Sequence, residues 1–393
     1  MLKIGIILLL PVFLLFGCKK GMNEQQAFLQ ADYDGKVTKI EFLGTYSQAE
    51  TAFLLQVGDI AGKVETTSGF SLYRYSYKTI NHNHNSIVVS GLAAVPLKGD
   101  IKGLVCWLHG TNANRNWVPS TPSPLQGIDV AAGFAGNGYV VIAPDYIGLG
   151  VSNEIPPYFH KKSTVNAVVD FISVGETILE NLSASARKHL FIVGFSQGGS
   201  AALAVQEHLQ NHNPTGFMLK ATAAICGAYD LRNISIPYAL ENNSTFYMGY
   251  LANSFSNIYG QQLGSIIRPD YVSIIPQLFD GSKTYDEIES RLPATAAELY
   301  TDEMIRDIRQ RNSNWFTEAL EENQTYRWTP QTPLRLYYGA LDKDVSPEDA
   351  THCYQFMKSA GGNVEILNAG NKDHFQALVT AFPDVQSWFN SIR

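Results

Sequence analysis

The stretch Gly194-Phe195-Ser196-Gln197-Gly198 constrains this chain more than any other. It reads Gly-x-Ser-x-Gly, and its flanks give it weight. Before it lies Leu190-Phe191-Ile192-Val193, an apolar run of one buried strand's length. After it comes Gly199-Ser200-Ala201-Ala202-Leu203-Ala204-Val205, a helix start built from small residues. A strand that turns straight into a helix forces the corner residue into a strained conformation. The flanking glycines permit such a turn because they have no Cβ to clash. The serine hydroxyl then stands at the carboxyl edge of a sheet.

A serine hydroxyl is a poor nucleophile at neutral pH. It needs a base within hydrogen-bond reach and an acid to orient that base. On an elbow of this kind the chain order is Ser, then Asp or Glu, then His. Leu334-Arg335-Leu336-Tyr337-Tyr338 reads as a late strand, and two candidate acids follow it, Asp342 and Asp344. Asp342 is preferred because it lies nearer the strand end. Asp230, after an earlier strand, is an alternative acid. Asn363-Val364-Glu365-Ile366-Leu367 reads as the final strand, and of nine histidines His374 follows it, just before a terminal helix from about Phe375. His352 falls on a predicted helix between the last two strands and is expected to face solvent. His82 and His84 sit in a polar turn, Asn81-His82-Asn83-His84-Asn85, which reads as a hairpin loop rather than a metal site.

A tetrahedral intermediate would carry an oxyanion, which needs donors already aimed at it. The backbone N–H of Gln197, next after the serine, is one candidate. The other is expected in the loop after an earlier strand. Gly103-Leu104-Val105-Cys106-Trp107-Leu108 is that strand, and His109-Gly110-Thr111-Asn112 follows. The second donor is assigned to the N–H of Thr111, with His109 as a support for the loop and not a second base.

The elbow, the Leu-His-Gly loop and Ala143-Pro144-Asp145-Tyr146-Ile147-Gly148-Leu149-Gly150 together resemble the α/β-hydrolase family. Within it the chain is similar to the secretory lipase branch, through its antiparallel entry, its Pro-Asp-Tyr-x-Gly-x-Gly segment and Gly227-Ala228-Tyr229-Asp230-Leu231 opening a large insertion. The resemblance spans roughly residues 60–393. It implies acyl transfer from an ester to water through an acyl-serine intermediate, with no cofactor. Thr111 and Asn112 depart from the glycine-rich oxyanion loop of many lipases and esterases.

The expected fold is an α/β-hydrolase: a mostly parallel central sheet with helices on both faces, an antiparallel N-terminal hairpin and an inserted helical cap. Strands 70–80 and 87–96 form the hairpin. Strands alternating with helices then argue for a parallel sheet covered on both sides. About 100 residues separate Asp230 from the strand at Leu334, more than any simple crossover needs. They carry helical patterns at 284–292, 294–311 and 315–322 and many aromatics, and read as a cap above the catalytic edge. The organisation expected is a leader at 1–17, a tether at 18–40, a core of 41–230 and 331–393, and a cap at 231–330.

Composition fits a globular enzyme: of 393 residues, 45% are hydrophobic and 17% charged. The net charge of −7 supplies no basic field, so nucleic acid is not an expected partner. Lys3 precedes an apolar run from Ile4 to Phe16, shorter than the about 20 residues of a membrane span and suited to a secretory signal. The run ends Leu15-Phe16-Gly17-Cys18, which resembles a bacterial lipoprotein box. That resemblance implies lipidation of Cys18 and an exported protein anchored to a membrane, periplasmic or at the cell surface. Three cysteines would remain, Cys106, Cys226 and Cys353, an odd number that precludes a complete disulfide framework. No zinc-type or calcium-type ligand spacing appears. Small-molecule, lipid-linked and polysaccharide-linked esters all stay open as substrates, and the sequence is silent on oligomeric state. Two other readings share this sequence: an aminopeptidase-like serine peptidase, and a non-catalytic binding lipoprotein.

Overall fold

The computed structural model describes residues 27–57, 64, 66–121, 127–182 and 187–392. The leader at 1–17 and Cys18 lie outside the described residues. Nine strands form one sheet: β1 (Val37–Tyr46), β2 (Phe70–Ile80), β3 (Ser86–Pro96), β4 (Leu104–Leu108), β5 (Val140–Pro144), β6 (His189–Phe195), β7 (Met218–Ile225), β8 (Leu334–Tyr338) and β9 (Val364–Asn368). Their order is β1-β2-β3-β5-β4-β6-β7-β8-β9. The β1–β2, β2–β3 and β3–β5 pairings are antiparallel, and every pairing from β5 through β4 to β9 is parallel. This is the α/β-hydrolase architecture expected from the sequence.

Helices α1 (Gln48–Val57), α2 (Ile128–Ala135), α3 (Lys161–Leu182) and α4 (Gln197–Asn211) precede the insertion. Successive side chains of a strand point to opposite faces, and the central strands show this directly. Leu104, Cys106 and Leu108 of β4 join Leu190 and Ile192 of β6 in a core beneath α3 and α4. Val105 and Trp107 join Phe191, Val193 and Phe195 in a second core on the other face. All but Trp107 and Phe195, which keep a few per cent, have no measurable exposure. That is why β4 and β6 read as continuous apolar runs: both faces are covered. Each such burial contributes roughly 1.5–3 kcal/mol.

Two expectations need correction. The 18–40 segment is not simply a tether. Phe28 is fully buried, and β1 begins at Val37 and pairs along β2. β1 carries no clear strand signal because it is an edge strand with two register shifts, the exposed Lys39 and the half-buried Glu41, devices that blunt an open edge and break the alternation. The helix read across 294–311 is two helices. Tyr300 turns extended and bridges Ile267, and Thr301 restarts the helix by accepting the N–H of Met304.

The insertion carries α5 (Ile236–Glu241), α6 (Thr245–Tyr259), α7 (Pro269–Val272), α8 (Ile275–Leu278), α9 (Tyr285–Glu289), α10 (Ala296–Leu299), α11 (Asp302–Gln310) and α12 (Trp315–Glu322). It buries a core of its own, with Phe246, Tyr250, Phe255, Phe279 and Phe316 at its centre. The sequence reading named no helix over 245–259, because its apolar residues are spread around the axis and nearly all become buried. Helices α13 (Pro347–Ser359) and α14 (His374–Ser391) complete the chain.

Candidate active site

Ser196 occupies the corner between β6 and α4 with φ 57° and ψ −120°, a region that side-chain-bearing residues seldom adopt. Its N–H donates to the carbonyl of Ile225 at 2.9 Å, which ties the corner to β7. The elbow glycines are required by close approach. A Cβ on Gly194 would lie 2.0 Å from the Gly198 carbonyl oxygen, and one on Gly198 would lie 1.9 Å from that of Leu108. The turn is therefore clamped between its own backbone and the end of β4. Because α4 starts at Gln197, the backbone N–H of that residue is a first-turn donor with no partner inside the helix.

His374 opens α14, directly after the N-cap Asp373. Its Nδ1 stands 2.6 Å from Oδ2 of Asp342, and both side chains are buried. A carboxylate can only accept, so Nδ1 carries the proton and Nε2 is left as the basic nitrogen. The other oxygen of Asp342, Oδ1, accepts the N–H groups of Asp344 (2.9 Å) and Val345 (3.0 Å). Of the two candidate acids it is thus Asp342 that meets the histidine. Asp344 accepts from the hydroxyl of Tyr247 at 3.1 Å instead. The imidazole packs on Phe195, the residue before Ser196, with centroids 4.7 Å apart.

Asp230 does not join this group. It caps the first turn of the insertion, with Oδ1 accepting Asn233 N–H at 3.0 Å, while Oδ2 lies 3.4 Å from Nε2 of His352. His352 is accordingly only half exposed, with its ring against Tyr326, and does not project freely into solvent as its helix position suggested.

The loop after β4 is held from several sides. The ring of His109 is buried against Tyr146 with centroids 4.3 Å apart, and Nδ1 lies 2.7 Å from the Gly110 carbonyl oxygen. Burial pulls its pKa down to about 4, so it is a neutral brace at physiological pH. Tyr146 donates its hydroxyl to the His109 carbonyl at 3.1 Å. Neighbouring Asp145, also from the Pro-Asp-Tyr segment, is buried and accepts from Ser90 (2.6 Å) and from Ser120 N–H (3.0 Å). A Cβ on Gly110 would come within 3.4 Å of the Ser196 Cβ, so this loop runs past the serine. Thr111 follows, its hydroxyl 2.9 Å from that of Tyr158. Tyr158 was not foreseen: the Pro156-Pro157-Tyr158-Phe159 run carries no pattern pointing to a site.

Ser196 and Thr111 open into a cavity that holds roughly 470 Å3 of free space, the open solvent at its mouth included. Leu231, Ile236, Ala239 and Leu251 of the insertion supply its apolar wall, so the insertion roofs the serine. Asp349 of α13 fixes the near end of that roof. Its carboxylate accepts the N–H groups of Tyr229 (2.9 Å) and Asp230 (2.8 Å) and the hydroxyl of Ser235. Burial outweighs those bonds and raises its pKa from 3.8 to about 7. A carboxyl that holds its proton more tightly when folded stabilises most at low pH. That contribution is lost as pH rises from about 4 towards 7. In Asp349→Asn the loss of stability over this interval is expected to be smaller than in the wild type, as read from urea midpoints at several pH values. An unchanged pH slope would contradict it.

Cys226 Sγ, the Asp342 carboxylate and a His374 ring nitrogen lie within 4.8 Å of one another, a spacing a metal could use. The donors do not suit one. Burial, and then the charge of Asp342, push the Cys226 thiol well above its usual range, so it stays protonated. Both Asp342 oxygens are already accepting hydrogen bonds.

The sheet order, the strained serine at the β6–α4 corner and the Asp342–His374 pair define an α/β-hydrolase. The family model for secretory lipases matches residues 130–391, and the chain belongs to that family. Its class is that of hydrolases acting on carboxylic esters. No curated protein matches the chain. Among solved structures it is similar to a protein from Legionella pneumophila whose hydrolase assignment is provisional, with 25% identity and a TM-score of 0.85 over 91% of this chain and 98% of that one. A variant of the rice cell wall degrading esterase LipA from Xanthomonas oryzae shares 21% identity at TM-score 0.82, over 91% of this chain and 99% of that one. The closed state of Candida antarctica lipase A shares the fold at 11% identity and TM-score 0.63, over 91% and 84% of the two chains.

Proposed function

We propose that the protein is an exported, membrane-tethered serine esterase or lipase working through an acyl-serine intermediate. The observation that carries the mechanism is the buried 2.6 Å contact between His374 and Asp342 beside a strained serine in a roofed cavity. In this reading Ser196 Oγ attacks the ester carbonyl while His374 Nε2 takes its proton. The resulting oxyanion is held by the N–H of Gln197 and that of Thr111. Collapse of the intermediate breaks the bond to the alcohol, and His374 returns the proton to the departing oxygen. Water then repeats the sequence on the acyl-serine, releasing the acid and restoring Ser196. Asp342 keeps the imidazole in the tautomer with the proton on Nδ1 and stabilises its positive charge.

Export is supported by membership of a secretory family and by the apolar run from Ile4 to Phe16. Among the described residues no helix is long and apolar enough to cross a membrane. The Leu15-Phe16-Gly17-Cys18 sequence supports attachment through lipid on Cys18. A fluorophosphonate probe tests the reading. It is expected to label the protein once, on the peptide carrying Ser196, and to abolish hydrolysis of p-nitrophenyl esters. Absence of labelling, or a label elsewhere, would reject the assignment. The chain-length profile from acetate to palmitate then separates a short-chain esterase from a lipase.

A further inference from the structure

One charged side chain stands among the residues lining the serine's cavity, Asp344, and it is also exposed to solvent. The rest of the wall is aliphatic, aromatic or hydroxyl-bearing. Among the described residues no Lys, Arg or His forms an ion pair with Asp344. Its fixed partner is a neutral one, the Tyr247 hydroxyl at 3.1 Å. Burial first, and the Asp344 charge with it, hold the phenols of Tyr247 and Tyr158 above their ordinary range on two different walls.

Asp344 is exposed, so water screens it in part, but the low-dielectric walls of a cleft that carries one sign of charge focus its field on an entering ligand, and the carboxylate discriminates between ligands by sign. We propose that Asp344 makes the cavity selective for charge, admitting neutral or cationic esters and rejecting those that carry a free carboxylate or sulfonate on the half of the ester that fills it. The proposal rests on Ser196 being the nucleophile that faces this cavity. Asp344 is thereby a specificity-determining residue, distinct from Asp342 two positions earlier, which orients the histidine.

The test compares kcat/KM for wild type and Asp344→Asn on two charge series. The acyl series uses p-nitrophenyl esters of heptanoate, of adipate as its mono-ester, and of trimethylammonio-hexanoate. The alcohol series uses butyrate esters of dimethylbutanol, of choline and of hydroxypropanesulfonate. In one of the two series the wild type is expected to favour the neutral over the anionic ester by about threefold or more. That ratio is expected to collapse towards unity in Asp344→Asn. The substitution keeps the side chain's shape and the backbone N–H that supports Asp342, and a ratio cancels any common loss of activity. In the wild type alone, raised salt should narrow the same ratio, which gives a reading even if the variant folds poorly. A ratio indifferent to the substitution and to salt in both series would overturn the proposal. Turnover of the neutral esters that persists in Ser196→Ala would instead overturn the assignment of the nucleophile.

Discussion

Ser196→Ala is expected to lower kcat for p-nitrophenyl butyrate by about 10^4- to 10^6-fold, the range seen when a triad nucleophile is deleted. The size follows from the chemistry. Without Oγ no acyl-enzyme forms, and what is left is direct attack by water assisted by the oxyanion donors and by substrate positioning. KM should change little, because the cavity wall keeps every other lining residue. Folding should survive. Ser196 is held through backbone bonds, its N–H to Ile225 and its carbonyl to the N–H of Gly199, and alanine retains both. Alanine also has to accept φ 57°, at a modest cost in stability. Steady-state kinetics together with a urea titration separate lost chemistry from lost structure. A variant that folds and keeps more than about a hundredth of the activity would place the nucleophile elsewhere.

The second large effect is expected from Asp342→Asn, at about 10^4-fold in kcat, and the hydrogen-bond geometry sets its mechanism. Oδ1 of Asp342 accepts two backbone N–H groups, from Asp344 and Val345. An asparagine must leave its carbonyl oxygen there, since an NH2 group facing two donors would bury an unmet clash of polarity. Its NH2 is then turned towards Nδ1 of His374, now 2.6 Å from an acceptor oxygen. A donor at that position demands an unprotonated Nδ1, which drives the proton to Nε2. The nitrogen that should accept the serine proton becomes a donor. Nitrogen chemical shifts of His374 would report the tautomer exchange. A folded Asp342→Asn variant with near wild-type kcat would show that the carboxylate does not govern the histidine.

The hydrolase core was legible from one strand–turn–helix pattern and from chain order. Strands buried on both faces announce themselves as short apolar runs, and β4 and β6 were each found that way. β1 was not, because its register shifts and charged side chains break the alternation that marks a strand. The serine and the candidate histidine were legible because Ser196 follows β6 directly and His374 follows the short turn after β9. The helical insertion was visible only as excess length and aromatic content. Its boundaries depend on caps such as Thr295 and Thr301, which pattern reading merged into one helix.

Sequence by itself determined the fold class, the elbow, the order of the three candidate catalytic groups and the family, all matters of local geometry and spacing along the chain. Tertiary structure alone decided between Asp342 and Asp344. They are two residues apart on one turn, and only the three-dimensional path of that turn sends one carboxylate to His374 and leaves the other exposed beside Tyr247 in the cavity lining. It also decided what Asp230, Asp349 and Tyr158 do. Their partners are distant in sequence, and the strength of a hydrogen bond or a charge depends on burial, which no run of neighbouring residues encodes.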